Sequence, residues 1–84
     1  MPPSIARSPQ QVGRLIQGFR HERGLTQTQL AQLAGLRQEM ISKIETGQGG
    51  VKLSTVCELL AALDLEMTIA PRSKSSTDDI EDIF

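Results

Sequence analysis

The fold of the chain is decided by residues 26–46, which read TQTQLAQLAGLRQEMISKIET. Thr26, followed three residues later by Gln29, forms a capping box, a pattern that favours the start of a helix. Gly35 comes after the apolar positions of that helix, and glycine tolerates the positive φ that a tight turn needs. This stretch therefore predicts two short helices joined by a turn at Gly35.

Small and apolar residues occupy the positions that a close crossing of these two helices requires. Ala31 lies where the helices would cross, so a larger side chain there would force them apart. The second helix carries three apolar residues that would face the rest of the domain: Leu36, Ile41 and Ile44. Each feature alone is weak, but together they predict a helix-turn-helix whose second helix starts near Arg37.

Further helices are predicted on both sides of this motif. A capping box with a proline at the first helical position, over residues 8–11, predicts a first helix that ends at Gly24. A glycine pair at 49–50 predicts a loop, and Ser54 is expected to cap a fourth helix that ends near Asp64. We therefore expect an all-α fold of four to five helices.

Polar side chains occupy the outward positions of the second motif helix: Arg37, Gln38, Glu39, Ser42, Lys43 and Thr46. Recognition helices contact base edges mainly with their N-terminal residues. An arginine there can bind guanine O6 and N7, and a glutamine can pair with adenine N6 and N7. Gln27, at the start of the first motif helix, would offer its side chain and a backbone amide to a phosphate. The motif therefore predicts double-stranded operator DNA as a partner.

The charge of the chain divides between a mildly basic body and an acidic tail. The net charge is −1, but residues up to Arg72 carry eight basic and six acidic side chains. From Ser73 onward there are one basic and four acidic side chains. The total therefore does not exclude a DNA-binding body. We expect an N-terminal arm over 1–7, a DNA-binding and dimerisation domain over 8–70, and a flexible acidic tail over 71–84.

The chain contains one histidine, His21, and one cysteine, Cys57. Catalysis or metal binding would need several converging nucleophile, base or ligand groups, so we expect no enzyme, cofactor, metal site or small-molecule substrate. Cys57 is expected to be a reduced core residue, because its neighbours read as an apolar helix face. No leader sequence and no apolar run of about 20 residues is visible, so we expect a cytoplasmic protein without a membrane partner.

Arg20 and Glu45 lie near the apolar positions of their helices. A bridge between them would tie the first helix to the end of the recognition helix, so both residues are interpreted as structural. Losing one partner of a partly buried pair is costly.

Residues 65–70 alternate between apolar and polar side chains until Pro71, a pattern typical of a strand. A lone strand leaves its backbone groups unpaired. Pairing with the same strand of a second copy would satisfy them, so we expect a homodimer with Leu65, Met67 and Ile69 at its interface. The alternative is an extended segment packed on the fourth helix.

From about Val12 to Leu65 the chain resembles the lambdoid-repressor-like (XRE) helix-turn-helix family. The resemblance rests on FRHERGLTQ at 19–27, on Leu30-Ala31 with Ala34-Gly35-Leu36, and on ISKIETG at 41–47. It implies a lambda-repressor-like domain with Gln27 at the DNA backbone, with Gln38, Glu39 and Lys43 at bases, and with an Arg20–Glu45 bridge. One departure is the glycine pair at 49–50, where the family often has a proline.

Within that family, the run LEMTI at 65–69 directly after the fourth helix resembles HipB-type antitoxins. This resemblance implies dimerisation through an intermolecular two-stranded sheet, repression of the protein's own operon and neutralisation of a HipA-like serine/threonine kinase toxin. It also implies a tail whose aromatic end docks on the kinase, which makes Ile83 and Phe84 candidate toxin-binding residues. The alternatives are a terminus without a role and a stand-alone XRE-family repressor without a toxin partner.

Overall fold

Four α-helices joined by short loops make up the described part of the chain, residues 4–72 of a computed structural model. They are α1 (Pro9–Glu22), α2 (Gln27–Ala34), α3 (Gln38–Glu45) and α4 (Leu53–Ala62). Within residues 4–72 no residue belongs to a strand. The predicted all-α fold is therefore confirmed.

Side chains close to the helix starts cap α1 and α2 as the sequence predicts. The Ser8 hydroxyl accepts a hydrogen bond from the Gln11 amide at 3.2 Å, and Pro9 is the first residue of α1. The capping box of α2 is complete, because the Thr26 hydroxyl accepts from the Gln29 backbone amide at 3.0 Å and the Gln29 side-chain oxygen accepts from the Thr26 backbone amide at 2.8 Å. These bonds satisfy amides that have no partner inside the helix.

The start of α4 differs from the prediction. Its N-cap is Lys52, whose side chain makes no capping bond, and the helix begins at Leu53. The backbone carbonyl of Lys52 accepts from the amides of Thr55 and Val56 at 3.0 and 3.2 Å. The assignment of Ser54 as the cap is therefore wrong, because the first turn that these bonds close starts at Lys52 and already includes Ser54.

All four helices contribute to one apolar core, whose buried members are Ile16, Leu30, Ala31, Ile41, Ile44, Leu59 and Leu63. Burying one such aliphatic side chain contributes about 1.5–3 kcal/mol to the folded state. Ala31 is 3% exposed, which fits a residue at a helix crossing.

Cys57 is exposed, so its assignment to the core is wrong. It lies two residues before the buried Leu59, and two residues turn about 200° around a helix. Leu33, two residues after the buried Ala31, is 62% exposed for the same geometric reason.

Glycine allows α1 to contact the C-terminal end of α3 through its backbone. Gly13 is buried, and a Cβ there would lie 2.5 Å from the Glu45 carbonyl oxygen and 2.8 Å from its carbon. After α3, Gly47 has a φ of 78° and would place a Cβ 2.7 Å from the Gln10 Cα. These two close approaches fix the first half of α1 against α3 and the loop that follows it.

Residues 65–70 form neither a helix nor a strand in the single chain. A strand needs a partner, and the predicted partner is a second copy, so the intermolecular sheet stays a prediction.

None of the helices in residues 4–72 is long and apolar enough to cross a bilayer.

Candidate nucleic-acid interface

The turn between α2 and α3 sets the position of α3. We call the exposed residues at the N-terminal end of this helix, Arg37, Gln38 and Glu39, the ridge of α3. Gly35 adopts the left-handed conformation, with a φ of 72° and a ψ of 30°, and ends α2. The Leu36 amide then donates to the Ala31 carbonyl at 2.9 Å, which closes the turn. Gly35 is therefore placed where a residue with a Cβ would be strained.

One face of α3 is buried and the other is polar. Ile41, Ile44 and Glu45 are the buried residues of this helix. The sequence-predicted DNA-contacting residues lie on the other side: Arg37, Gln38, Glu39 and Thr46 are exposed, and Ser42 and Lys43 are half-buried. The exposed residues Arg37, Gln38 and Glu39 are consecutive at the N-terminal end of α3, the end that reads base edges in helix-turn-helix proteins.

Thr46 is engaged within its own helix end. Its hydroxyl donates to the carbonyl oxygens of Ser42 and Lys43 at 3.0 and 3.2 Å and accepts from the Gln48 amide nitrogen at 3.3 Å. The same two carbonyls also accept from the backbone amides of Thr46 and Gln48, at 3.0 and 3.1 Å, so the hydroxyl adds to the hydrogen bonds that end α3. A DNA contact by Thr46 stays a prediction, and the structure gives this hydroxyl a capping role.

The expected ion pair between Arg20 and Glu45 is present and is bidentate. Arg20 Nε donates to Glu45 Oε2 at 2.6 Å, and Nη2 donates to Oε1 at 3.0 Å. The third bond of this guanidinium goes from Nη1 to the Leu25 carbonyl at 2.8 Å. The two side chains are only 8% and 2% exposed. The pair therefore joins α1 to the last residue of α3 inside the domain.

The surroundings of Arg20 favour its charged form. The hydrogen bond to Glu45 raises the pKa of Arg20 above its ordinary value, although burial opposes the shift. Bidentate bonds between an arginine and a carboxylate are among the stronger hydrogen bonds in proteins.

Two glutamine side chains extend this ion pair to the surface, an arrangement that the sequence pattern did not predict. Gln27 Nε2 donates to Glu45 Oε1 at 3.0 Å, and Gln38 Nε2 donates to Gln27 Oε1 at 2.6 Å. We call Arg20, Glu45, Gln27 and Gln38 the polar relay. It joins α1, the end of α3, the start of α2 and the start of α3, so a side chain on the exposed ridge is hydrogen-bonded through to the interior.

A second surface, apolar in character, lies away from the helix-turn-helix. A groove of about 730 Å³ runs between the N-terminal arm, α1, the end of α4 and residues 64–69. The three expected dimer-interface residues line it, with Leu65 half-buried, Met67 49% exposed and Ile69 93% exposed. The expected toxin-binding residues, Ile83 and Phe84, lie outside the described residues.

Among the described residues, no group of three or more histidine, cysteine or acidic side chains could hold a metal ion.

Comparison with known proteins agrees with the helix-turn-helix geometry of α2 and α3. Residues 11–68 match a family model described as a helix-turn-helix domain. The antitoxin HipB of Escherichia coli (strain K12) is 31% identical over 74 residues, which is 88% of this chain and 84% of the relative.

Solved structures add a match in three dimensions. The chain superposes on one chain of the HipA-HipB-O2-O3 complex with a TM-score of 0.76 and 30% identity, covering 82% of this chain and 97% of that one. The restriction-modification controller protein C.AhdI from Aeromonas hydrophila matches with a TM-score of 0.64 and 34% identity, over 69% of this chain and 84% of its own. The chain therefore belongs to the helix-turn-helix domain family and is a HipB-like DNA-binding regulator.

Proposed function

We propose that the chain is the antitoxin of a type II toxin-antitoxin module, which represses its own operon and neutralises a HipA-like serine/threonine kinase toxin. The observation that carries this proposal is the extent of the similarity to HipB. It spans 74 residues, whereas the helix-turn-helix match spans residues 11–68. HipB itself has been solved in a complex with HipA and O2-O3.

The proposed DNA contacts follow from the exposed ridge of α3. Arg37, Gln38 and Glu39 would contact base edges from the N-terminal end of the helix, with Ser42 and Lys43 one turn later. Gln27 and a backbone amide at the start of α2 would bind a phosphate and fix the register on the duplex.

A homodimer would give the regulator two such ridges. Residues 65–70 would pair with the same residues of a second copy, which satisfies their backbone groups and covers the exposed Met67 and Ile69. A two-fold dimer would place two recognition helices about 34 Å apart, the spacing of half-sites on a roughly palindromic operator.

The kinase would be bound by a different part of the chain, the acidic tail from Ser73 onward. Ile83 and Phe84 are the apolar residues at its end. Because a solubilising tail needs no bulky apolar residues, we propose that this end docks on the toxin.

A stand-alone repressor is the second candidate function. The similarity to a restriction-modification controller protein favours it, because that protein is 34% identical over 69% of this chain. In this case the protein would bind its operator as a dimer and have no kinase partner.

Operator binding is tested by titrating the full chain onto the DNA upstream of its own gene at several salt concentrations. Each phosphate that a lysine or arginine side chain neutralises releases condensed counterions, so the logarithm of the affinity should fall linearly with the logarithm of salt concentration, with a slope of about −0.9 per neutralised phosphate. An affinity that does not change with salt would contradict DNA binding in which basic side chains lie against the phosphate backbone.

The antitoxin role predicts a kinase-like reading frame beside this gene, and it is tested by coexpressing the chain with the product of that reading frame. The full chain should relieve growth inhibition by the kinase and copurify with it. A variant lacking residues 73–84 should keep its DNA affinity but lose the kinase. If the full chain neither binds nor neutralises the kinase, the stand-alone repressor is the correct assignment.

A further inference from the structure

The polar relay has a direction that is set by its buried end. The Glu45 carboxylate accepts two bonds from Arg20, and an ionised carboxylate is an acceptor only. Its remaining partner, Gln27, must therefore turn its amide nitrogen toward Glu45, which it does at 3.0 Å. The carbonyl oxygen of the Gln27 amide then points away from Glu45.

The next bond has its direction fixed by the same logic. Since Gln27 offers a carbonyl oxygen, Gln38 must donate to it, and Gln38 Nε2 does so at 2.6 Å. An amide nitrogen has two N–H groups, so Gln38 retains one N–H and its carbonyl oxygen for another partner. The N–H and the carbonyl oxygen that remain on Gln38 therefore have one fixed arrangement relative to α3.

We propose that Glu45 is a positioning residue for base readout, because its charge fixes through Gln27 which edge of the Gln38 amide faces the DNA. This inference rests on the proposed contact between Gln38 and a base. The free edge of Gln38, one acceptor beside one donor, matches the N6 amino group and N7 of adenine. If the amide were reversed, the donor and acceptor would exchange places in the groove and the match would be lost.

The polar relay is buried at Glu45 and exposed at Gln38, and this arrangement suits a role in orienting the Gln38 amide. The Glu45 side chain is 2% exposed, Gln27 is half-buried and Gln38 is exposed. Hydrogen bonds in a low-dielectric interior are stronger than those in water, and connected bonds polarise one another. Gln38 therefore meets the DNA with its amide already oriented, and binding does not have to select one of two orientations.

Two substitutions break the relay at different points. Glu45→Gln replaces the acceptor-only group by an amide of the same shape, which can either donate or accept, so both relay directions become possible. Gln27→Met removes the middle link and leaves the Arg20–Glu45 pair intact, so it tests the relay even if Glu45→Gln fails to fold. It also removes the proposed phosphate contact of Gln27, and this loss should lower the affinity for all sequences alike without changing base preference. Matched controls are Glu58→Gln on α4 and Gln32→Met on α2, both at exposed positions.

The readout is the base preference of each variant, measured by selection from a random-sequence DNA library and then by affinity for single-base changes. Gln38→Ala identifies the base pair that Gln38 reads. A bidentate contact discriminates between bases by roughly 5- to 150-fold. Both relay variants should reduce the preference at that base pair to less than about half of its wild-type fold-discrimination, while preferences elsewhere and those of the two controls stay unchanged.

The alternatives are separated by the same data. If the folded relay variants keep the wild-type preference at the base pair that Gln38→Ala identifies, Glu45 has only a structural role and the inference is wrong. If Gln38→Ala alters no preference although the wild type selects a sequence, the proposed contact between Gln38 and a base is wrong instead, and the relay has no readout to serve.

Discussion

The contact of α1 with the end of α3 predicts opposite effects for the same substitution at two glycines of one helix. Gly13 and Gly18 both lie inside α1, five residues apart. A Cβ at Gly13 would lie 2.5 Å from the Glu45 carbonyl oxygen, whereas a Cβ at Gly18 would have nothing within 4 Å. Gly13→Ala should therefore destabilise the domain, and Gly18→Ala should stabilise it.

The size of the difference follows from the contact distance. Ordinary contact of a Cβ begins at 3.4 Å, and the Ile44 carbonyl oxygen lies even closer to the added Cβ than that of Glu45. The helix α1 would therefore have to move by about 1 Å, because the atoms that the Cβ meets belong to backbone that cannot rotate away. Overpacking of this kind costs about 1–3 kcal/mol. Replacing glycine by alanine inside a helix contributes about 0.8–1 kcal/mol in the favourable direction. That contribution is common to both variants, so the free energies of unfolding should differ by about 1–3 kcal/mol.

The measurement is denaturant-induced unfolding of the two variants and the wild type at one protein concentration. Fixed concentration matters because dimerisation would make the apparent stability depend on it. For a domain of this size, 1 kcal/mol corresponds to a shift of about 4–8 °C in the melting temperature. If the two variants differ by less than about 0.5 kcal/mol, α1 does not contact the end of α3 as closely as the structure places it.

Three further predictions concern the ion pair and the extended segment. Arg20→Ala leaves Glu45 buried without its charge partner, so it should lower the free energy of unfolding by about 3–5 kcal/mol in denaturant titrations. The control Arg14→Ala, at an exposed site of the same helix, should change it by less than about 0.5 kcal/mol. The double variant Arg20→Met with Glu45→Leu should be as stable as the wild type or more so, because apolar replacements remove both desolvation penalties; a loss equal to that of Arg20→Ala would contradict this. Met67→Pro removes a backbone donor and should give monomers in sedimentation equilibrium, whereas Met67→Ala should remain dimeric; an intact dimer of the proline variant would exclude pairing through this segment.

Local interactions explain the parts of the fold that the sequence predicts correctly. Ser8, Thr26 and Gly35 act on residues three or four positions away, so their roles can be identified without any knowledge of tertiary structure. The same reasoning fails for Ser54, because the carbonyl of Lys52 forms the first turn of α4 without a capping side chain.

Contacts between residues distant in the chain explain what the sequence did not predict. Gly13 meets residues about 30 positions later, and the only local indication was a glycine inside a helical pattern. The helix start and the family resemblance both place Gln27 at the DNA backbone, whereas its bond to Glu45 forms only when α2 is packed against α3. The assignment of Cys57 to the core failed because an apolar helix segment does not specify which of its residues face inward.

The polar relay is difficult to explain by stability alone. Removing two charges from water costs several kcal/mol per ion, and packed apolar residues in their place are often neutral or stabilising. A small domain without a disulfide would therefore gain little from Arg20 and Glu45 as a source of stability. Their ion pair, however, leaves one carboxylate lone pair directed at Gln27, and this bond leads to an exposed side chain on the ridge of α3. A carboxylate only accepts hydrogen bonds, so it imposes a direction on a chain of amides, which an apolar core cannot do. We therefore interpret the cost of burial as the cost of a fixed orientation at the proposed DNA-binding surface.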